Sequence, residues 1–462
     1  MLARKMAARL EAWRAAQGER PKAFLLSGAR QTGKTFTVRE FARQHYANYI
    51  EVNFLDNEDA ASLLTAAQDS DELVTRLSLL SKQPLDAGRT LVFFDEIQAS
   101  PDMLTVAKFL VEQDRFDLVL SGSLLGVELR GIRSFPVGYL HEERMYPLDF
   151  EEFCWALQVP ARVIDEIRAA YRDKRPLEVA LHDRLVRLYR LFIVVGGMPE
   201  VVQRFIDSKN DLAAVREVQS DIVSQYGADI IRYANGRSLF VEAIYQALPG
   251  ELAKVNKRFV LGSLKQGATY ARFEDDFEWL AGAGVALPTC LATEPSRPLR
   301  RSLERRKFKL YSSDVGLLMV RYPNVIAMDV IEGSRSVNFG AVYENAVAQE
   351  LKSAGYELCY YNNNRKGEVD FLIETGAGSI IPIEVKSGKD YKLHTALNNL
   401  LGTQEYAIDE AYVLSEHNVS REERLGKSVY YLPLYMTLCL GSELEVATKP
   451  GDFAPPSFVD WG

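Results

Sequence analysis

A chain of 462 residues exceeds one ordinary hydrophobic core, and at about 150 residues per domain two or three domains are expected. Hydrophobic residues make up 47% and charged residues 26%, as in a water-soluble globular protein; the net charge of -8 excludes a uniformly basic nucleic-acid coat but leaves room for a local basic face. Cys154, Cys290, Cys359 and Cys439 are scattered with no C-x-x-C pair, which argues against a zinc site or a disulfide framework and for a reduced, cytoplasmic setting. The first residues lack the apolar core of a signal peptide, and no window approaches the roughly 18 apolar residues of a membrane span.

Residues 1–20 read as a helix. The apolar run 22–27 opens into a glycine-rich turn and reads as a buried strand, followed by a helix over 35–46 and a strand over 49–55. A helical stretch over 58–81 precedes a second apolar strand (90–95), a helix (101–111) and a third apolar strand (116–121). Apolar strands alternating with helices predict a parallel sheet covered on both faces. From 151 to 260 the pattern is helical, broken by a turn around Gly196, Gly197 and Pro199. Within 237–318, three helices and two short strands (285–292 and 307–311) fit a winged helix. From about 335 the order is helix (342–354), strands (357–362, 368–374 and 380–386), helix (393–406) and strand (410–414), and 446–462 reads as a loose tail.

Gly28-Ala29-Arg30-Gln31-Thr32-Gly33-Lys34-Thr35 matches G-x-x-x-x-G-K-[ST] between a strand and a helix. Such a loop aims backbone N–H groups and the helix dipole at phosphate oxygens, with Lys34 reaching the β- and γ-phosphates of ATP and the Thr35 hydroxyl ligating Mg²⁺. Asp95, ending the second apolar strand, would hold Mg²⁺ through water, and Glu96 would polarise the attacking water. Ser121, ending the third, would sit near the γ-phosphate.

Farther along, Asp370 falls on one strand and Glu384 and Lys386 two apart on the next, so the last two share a face. Their carboxylates suit Mg²⁺ or Mn²⁺, a metal would activate water against a phosphate, and Lys386 would neutralise developing charge. Glu344 on the preceding helix could add a ligand. The segment 297–309 (RPLRRSLERRKFK) has seven basic residues and one acidic, enough to hold a nucleic-acid backbone at the wing. No histidine is assigned a catalytic role.

Together these segments, with YPLDFEEF (146–153), GGMPEVV (196–202), YSSDVGLL (311–318) and GAVYENAVAQEL (340–351), resemble prokaryotic AAA+ ATPases that carry a nuclease-like C-terminal domain of unknown function. D…E-x-K behind a helical glutamate resembles the PD-(D/E)XK nuclease fold, with Asp370, Glu384, Lys386 and Glu344 in its acidic and lysine positions. The expected α/β architecture is a P-loop AAA+ parallel-sheet domain (1–155), a helical and winged-helix region (156–330), a small α/β PD-(D/E)XK nuclease-like domain (331–445) and the tail (446–462). Tyr139 follows Gly138 where many relatives have an arginine, so no arginine finger is assigned; Arg130, Arg133 and Arg144 are candidates. The resemblance implies an ATPase acting on nucleic acid, DNA ahead of RNA, by metal-dependent cleavage, with the homo-oligomers common in the wider class compatible. The rival reading is a non-cleaving ATP switch or a scaffold that binds nucleic acid or protein.

Overall fold

The computed structural model describes residues 2–18, 21–81, 85–123, 137–234, 236–334, 340–388 and 391–441. The tail at 446–462 and the finger candidates Arg130 and Arg133 lie outside the described residues. Strands β1 (Ala23–Gly28), β2 (Asn48–Asn53), β3 (Thr90–Asp95), β4 (Asp117–Gly122) and β5 (Leu140–Met145) form a parallel sheet in the order β2-β3-β4-β1-β5. Both faces are covered, which is why β1 and β3 are buried at every position. Phe24 and Leu26 pack with Met6, Leu10 and Trp13 of the Lys5–Ala15 helix and with Val38 and Phe41 of the Lys34–His45 helix. Ala23 and Leu25 face the other way, onto the helices Glu58–Thr65, Ser70–Leu80 and Met103–Gln113. The expected single helical stretch over 58–81 is therefore two helices, and β5 is a strand the periodicity did not announce.

Helices Phe150–Ala156, Ala161–Asp173, Val179–Val195, Pro199–Asp207, Leu212–Tyr233, Ser238–Leu252 and Tyr270–Gly282 follow. Gly196 and Gly197 make the expected turn between two of them. The strands expected to form a wing, β6 (Ala286–Ala292) and β7 (Leu303–Ser312), pair with each other, but β6 also pairs in parallel with β8 (Cys359–Asn363). The hairpin thus becomes one end of the C-terminal sheet. That sheet, with β9 (Gly367–Glu374), β10 (Ile380–Val385), β11 (Glu410–Ser415), β12 (Ser420–Arg424) and β13 (Lys427–Pro433), runs β12-β13-β11-β10-β9-β8-β6-β7. The helix-strand-strand-strand-helix-strand order expected after residue 335 is present, with helices Gly340–Ser353 and Thr395–Leu401.

The Gly340–Ser353 helix is buried from Val342 to Leu351, polar residues included. Those residues earn their place by satisfying backbone groups at the junction of the three regions. Glu350 accepts the Phe150 N–H at 2.8 Å, and Gln349 accepts that of Val315 at 2.8 Å while donating to the Leu148 carbonyl at 3.2 Å. Asn345 both accepts from and donates to the Ser312 backbone, at 2.7 and 3.0 Å. Asp314 accepts the Gly197 N–H at 2.6 Å, and Leu148 donates to the Gly197 carbonyl at 2.7 Å. Asp149 and Glu152 form a reciprocal capping box. Four of the segments that carry the family resemblance therefore meet in one place.

A side chain at Gly197 would put Cβ 2.0 Å from the Leu148 carbonyl oxygen, backbone that cannot swing aside. We expect Gly197→Ala to destabilise the chain by about 1–3 kcal/mol, read as a lower melting midpoint; an unchanged midpoint would show that the junction yields.

Candidate functional site

The phosphate loop leaves β1 at Gly28, whose φ of 149° and whose neighbour, the Met145 carbonyl 2.3 Å from a would-be Cβ, admit only glycine. Gly33 turns the chain into the Lys34–His45 helix at a φ of 91°. Thr32 is buried, its hydroxyl donating to the Ala29 carbonyl at 2.9 Å. The Lys34 ammonium is folded back onto its own loop, donating to the carbonyls of Gly28 at 3.0 Å and Ala29 at 2.8 Å. Burial pushes its pKa down to about 8, with Glu96 and Asp95 opposing the shift.

Asp95 is held from both sides. Thr35 donates to its Oδ2 at 2.9 Å and Ser121 to its Oδ1. Burial raises the Asp95 pKa against these hydrogen bonds. The Thr35 hydroxyl and the Asp95 carboxylate are hard oxygen donors side by side, and this pair fits Mg²⁺. Ser121, expected to sit near the γ-phosphate, donates to Asp95 and is fully buried.

Glu96 has a φ of 53°, unusual for a residue with a side chain and typical of strain kept at working sites. Its carboxylate accepts from Gln98 Nε2 and, at 3.2 Å, from the Ser123 hydroxyl. Ser123 in turn lies 3.4 Å from Arg30 Nε. Arg30 forms an ion pair with Asp229 at 2.5 Å and lies over the Tyr233 ring, both on the Leu212–Tyr233 helix. Tyr226 of the same helix donates to the Arg30 carbonyl at 3.0 Å, and Gln31 bonds Gln225. A continuous polar path thus joins the central helices to the glutamate expected to polarise water.

The loop is also gripped elsewhere. Arg4 donates to the Thr32 carbonyl at 2.7 Å and the Tyr146 carbonyl at 2.6 Å, and Pro199 packs near Gly33. Arg144 donates to the carbonyls of Ala281 and Gly282 at 2.8 and 3.3 Å, so it ties two regions together within the chain rather than projecting as a finger. Gly284, just beyond, sits against Ala29. Sequence reasoning missed Asp229, Arg4 and Gly284 because nothing local marks them. Gln98 and Ser123 stood in segments already singled out, without an assigned partner.

In the C-terminal domain Glu344, Asp370, Glu384 and Lys386 do come together. Asp370 accepts the Val385 N–H at 2.9 Å, and Lys386 pairs with Glu384 at 2.6 Å. Burial and the nearby Asp370 push Glu384 up to about 8, and burial raises Glu344. Two further lysines enter the cluster. Lys257 pairs with Glu344, and Lys309 lies 2.7 Å from Glu368, 3.6 Å from Asp370 and 3.7 Å from Glu344. Among the described residues no group of three or more His, Cys, Asp or Glu is arranged to hold a metal ion. The oxygens expected to ligate metal at Glu344 and Asp370 face ammonium groups or backbone amides instead.

The expected basic wing differs as well. Lys309 is fully buried, Arg300 pairs with Glu357, and Lys307 lies 3.0 Å from Glu304, while Arg305 and Arg306 are exposed on β7.

Residues 20–154 match the family described as an AAA domain. The N-terminal region is an AAA domain. ATP binding and hydrolysis are the activity of that domain class, and the fold and the motif residues agree with it. Residues 186–323 and 339–436 each match a family described as a domain of unknown function (DUF8612 and DUF4143). No curated protein matches. Among solved structures, a Walker-type ATPase of Pyrococcus abyssi is 14% identical with a TM-score of 0.42, covering 70% of this chain and 96% of that one. Cdc6p from Pyrobaculum aerophilum is 11% identical with a TM-score of 0.27, covering 72% and 96%. Among the described residues no helix is long and apolar enough to cross a membrane.

Bound ATP would place its phosphates beside Lys34 and favour the charged lysine. Because the free-state pKa is lowered to about 8, binding above that pH must take up a proton. ATP affinity should therefore hold below pH 8 and fall as pH rises beyond it, approaching tenfold per unit at the limit. Titration with a fluorescent ATP analogue from pH 7 to 9.5 checks this; a flat profile would mean that Lys34 keeps its proton throughout.

Proposed function

We propose that the chain is an ATP-hydrolysing switch whose AAA domain sets how the central helices and the C-terminal domain engage a nucleic acid, DNA ahead of RNA, without cleaving it. The observation that carries this reading is the path Asp229–Arg30–Ser123–Glu96, which links the central helices to the AAA domain's water-polarising residue. Phosphates entering the loop would draw Lys34 off the Gly28 and Ala29 carbonyls. Mg²⁺ held by Thr35 and Asp95 would supply charge stabilisation for the γ-phosphate. Once freed from Ser123 and Gln98, Glu96 accepts a proton from water as the water oxygen bonds to the γ-phosphorus and the bond to the ADP oxygen breaks, giving ADP and phosphate. Departure of phosphate lets Glu96 return to Ser123, and Arg30 carries that change to Asp229.

Arg305 and Arg306 are the residues we propose for nucleic-acid backbone contact. The convergence of Glu344, Asp370, Glu384 and Lys386 favours the metal-dependent nuclease as second reading, and cleavage lost in Lys386→Ala would establish it.

Glu96→Gln should keep ATP binding and lower turnover by about 10²–10⁴-fold; turnover near wild type in a phosphate-release assay would remove Glu96 from the chemistry. Arg305→Glu with Arg306→Glu should weaken duplex DNA binding and reduce the slope of log K against log salt by about 2. Unchanged binding and slope would move the contact elsewhere, and no DNA binding by wild type would favour a protein partner.

A further inference from the structure

The C-terminal carboxylate cluster is built by repetition of one strand rule. Alternate residues of an extended chain share a face, and three such pairs meet here: Lys309 and Tyr311 from β7, Glu368 and Asp370 from β9, and Glu384 of β10 with Lys386 just beyond its end. Glu344 comes in from the helix above them.

The oxygens of this cluster are largely committed. One Glu344 oxygen takes Lys257; the other accepts the Tyr311 hydroxyl at 3.0 Å and faces Lys309. Asp370 gives one oxygen to the Val385 amide and turns the other toward Lys309. Glu368 takes Lys309 at 2.7 Å and also accepts from Asn362. Glu384 gives Oε1 to Lys386, leaving Oε2 as its buried oxygen without a hydrogen-bond partner. A hard divalent cation wants several oxygens converging on one point; here Glu384 Oε2 has no hydrogen-bond partner and Asp370 Oδ1 meets only the Lys309 ammonium, at 3.6 Å, while the rest are taken.

Charge points the same way. The motif residues alone, three carboxylates and Lys386, carry a formal charge of about -2, which invites a divalent ion. With Glu368, Lys257 and Lys309 included, four carboxylates face three ammonium groups and the formal total is about -1. Lys309 is fully buried, 5.1 Å above the Tyr360 ring, in a place no exposed lysine would reach by chance.

We propose that most of the cluster's charge is balanced from within: the Lys309 ammonium, assisted by Lys257, takes the position a divalent cation would occupy among Glu344, Glu368 and Asp370, so the implied metal does not fit this domain. The inference rests on the non-cleaving reading above and gives it a physical cause. Its test needs neither ATP nor DNA, so either claim can fail alone.

The experiment is a Mn²⁺ titration of the nucleotide-free full-length chain, with bound ion followed by electron paramagnetic resonance. Wild type runs beside Asp370→Asn, Lys309→Ala and the Lys309→Ala/Asp370→Asn double variant; any Mn²⁺ held near Thr35 and Asp95 is common to all four and cancels. We expect wild type and Asp370→Asn to give the same isotherm, and Lys309→Ala to gain a site that the double variant loses. A Mn²⁺ site in wild type that Asp370→Asn abolishes would overturn the proposal. So would a well-folded Lys309→Ala with no added site. If Lys309→Ala fails to fold, the comparison of wild type with Asp370→Asn still decides whether the cluster holds a metal.

Discussion

Backbone groups buried where three regions of chain meet must find partners there, because water cannot reach them, and this constraint organises the molecule. The Gly340–Ser353 helix answers it with Asn345, Gln349 and Glu350, each spent on the backbone of another region. Asp314 does the same for the turn at Gly197. A helix that is polar yet buried on all sides is costly unless every group is paired. The pairing here fixes the AAA domain, the central helices and the C-terminal sheet against one another.

The phosphate loop sits against that junction rather than apart from it. Gly28 lies against the Met145 carbonyl, Gly33 near Pro199 and Ala29 against Gly284, while Arg4 holds the Thr32 and Tyr146 carbonyls together. Any movement of the loop on binding phosphates would press on these neighbours. The Lys34 ammonium donates to the loop's own carbonyls, and the Glu96 carboxylate accepts from Gln98 and Ser123. Both residues are thus held in contacts that phosphate and water would displace, which is the physical content of the proposed switch.

The parallel sheet and phosphate loop were legible because their signals are local: apolar strands such as TLVFFD, and a glycine pattern placed between strand and helix. β5 was not, because LHEERM lies at a sheet edge with its middle residues exposed or half-buried and so lacks the apolar signature. β12 escaped for the same reason. The hairpin at 286–312 was read from its helical preface as a wing, but its partner β8 lies nearly fifty residues later, a pairing that no local pattern encodes. By sequence alone Lys309 belongs to the basic run 297–309. The signal against that was its setting in Phe308-Lys309-Leu310, a charge inside an apolar strand. Spacing finds the motif carboxylates, whereas the lysines that pair with them, Lys257 and Lys309, come from a loop and another strand and are apparent only in three dimensions.

Hydrogen exchange on Glu96→Gln, with and without ATP, tests the coupling most directly. The account predicts altered protection in the Leu212–Tyr233 helix and around 281–292 as well as in the phosphate loop, with the distant changes diminished when Asp229→Ala is added. Changes confined to 28–35 and 95–123 would mean that the AAA domain works without telling the rest of the chain, and would contradict the account.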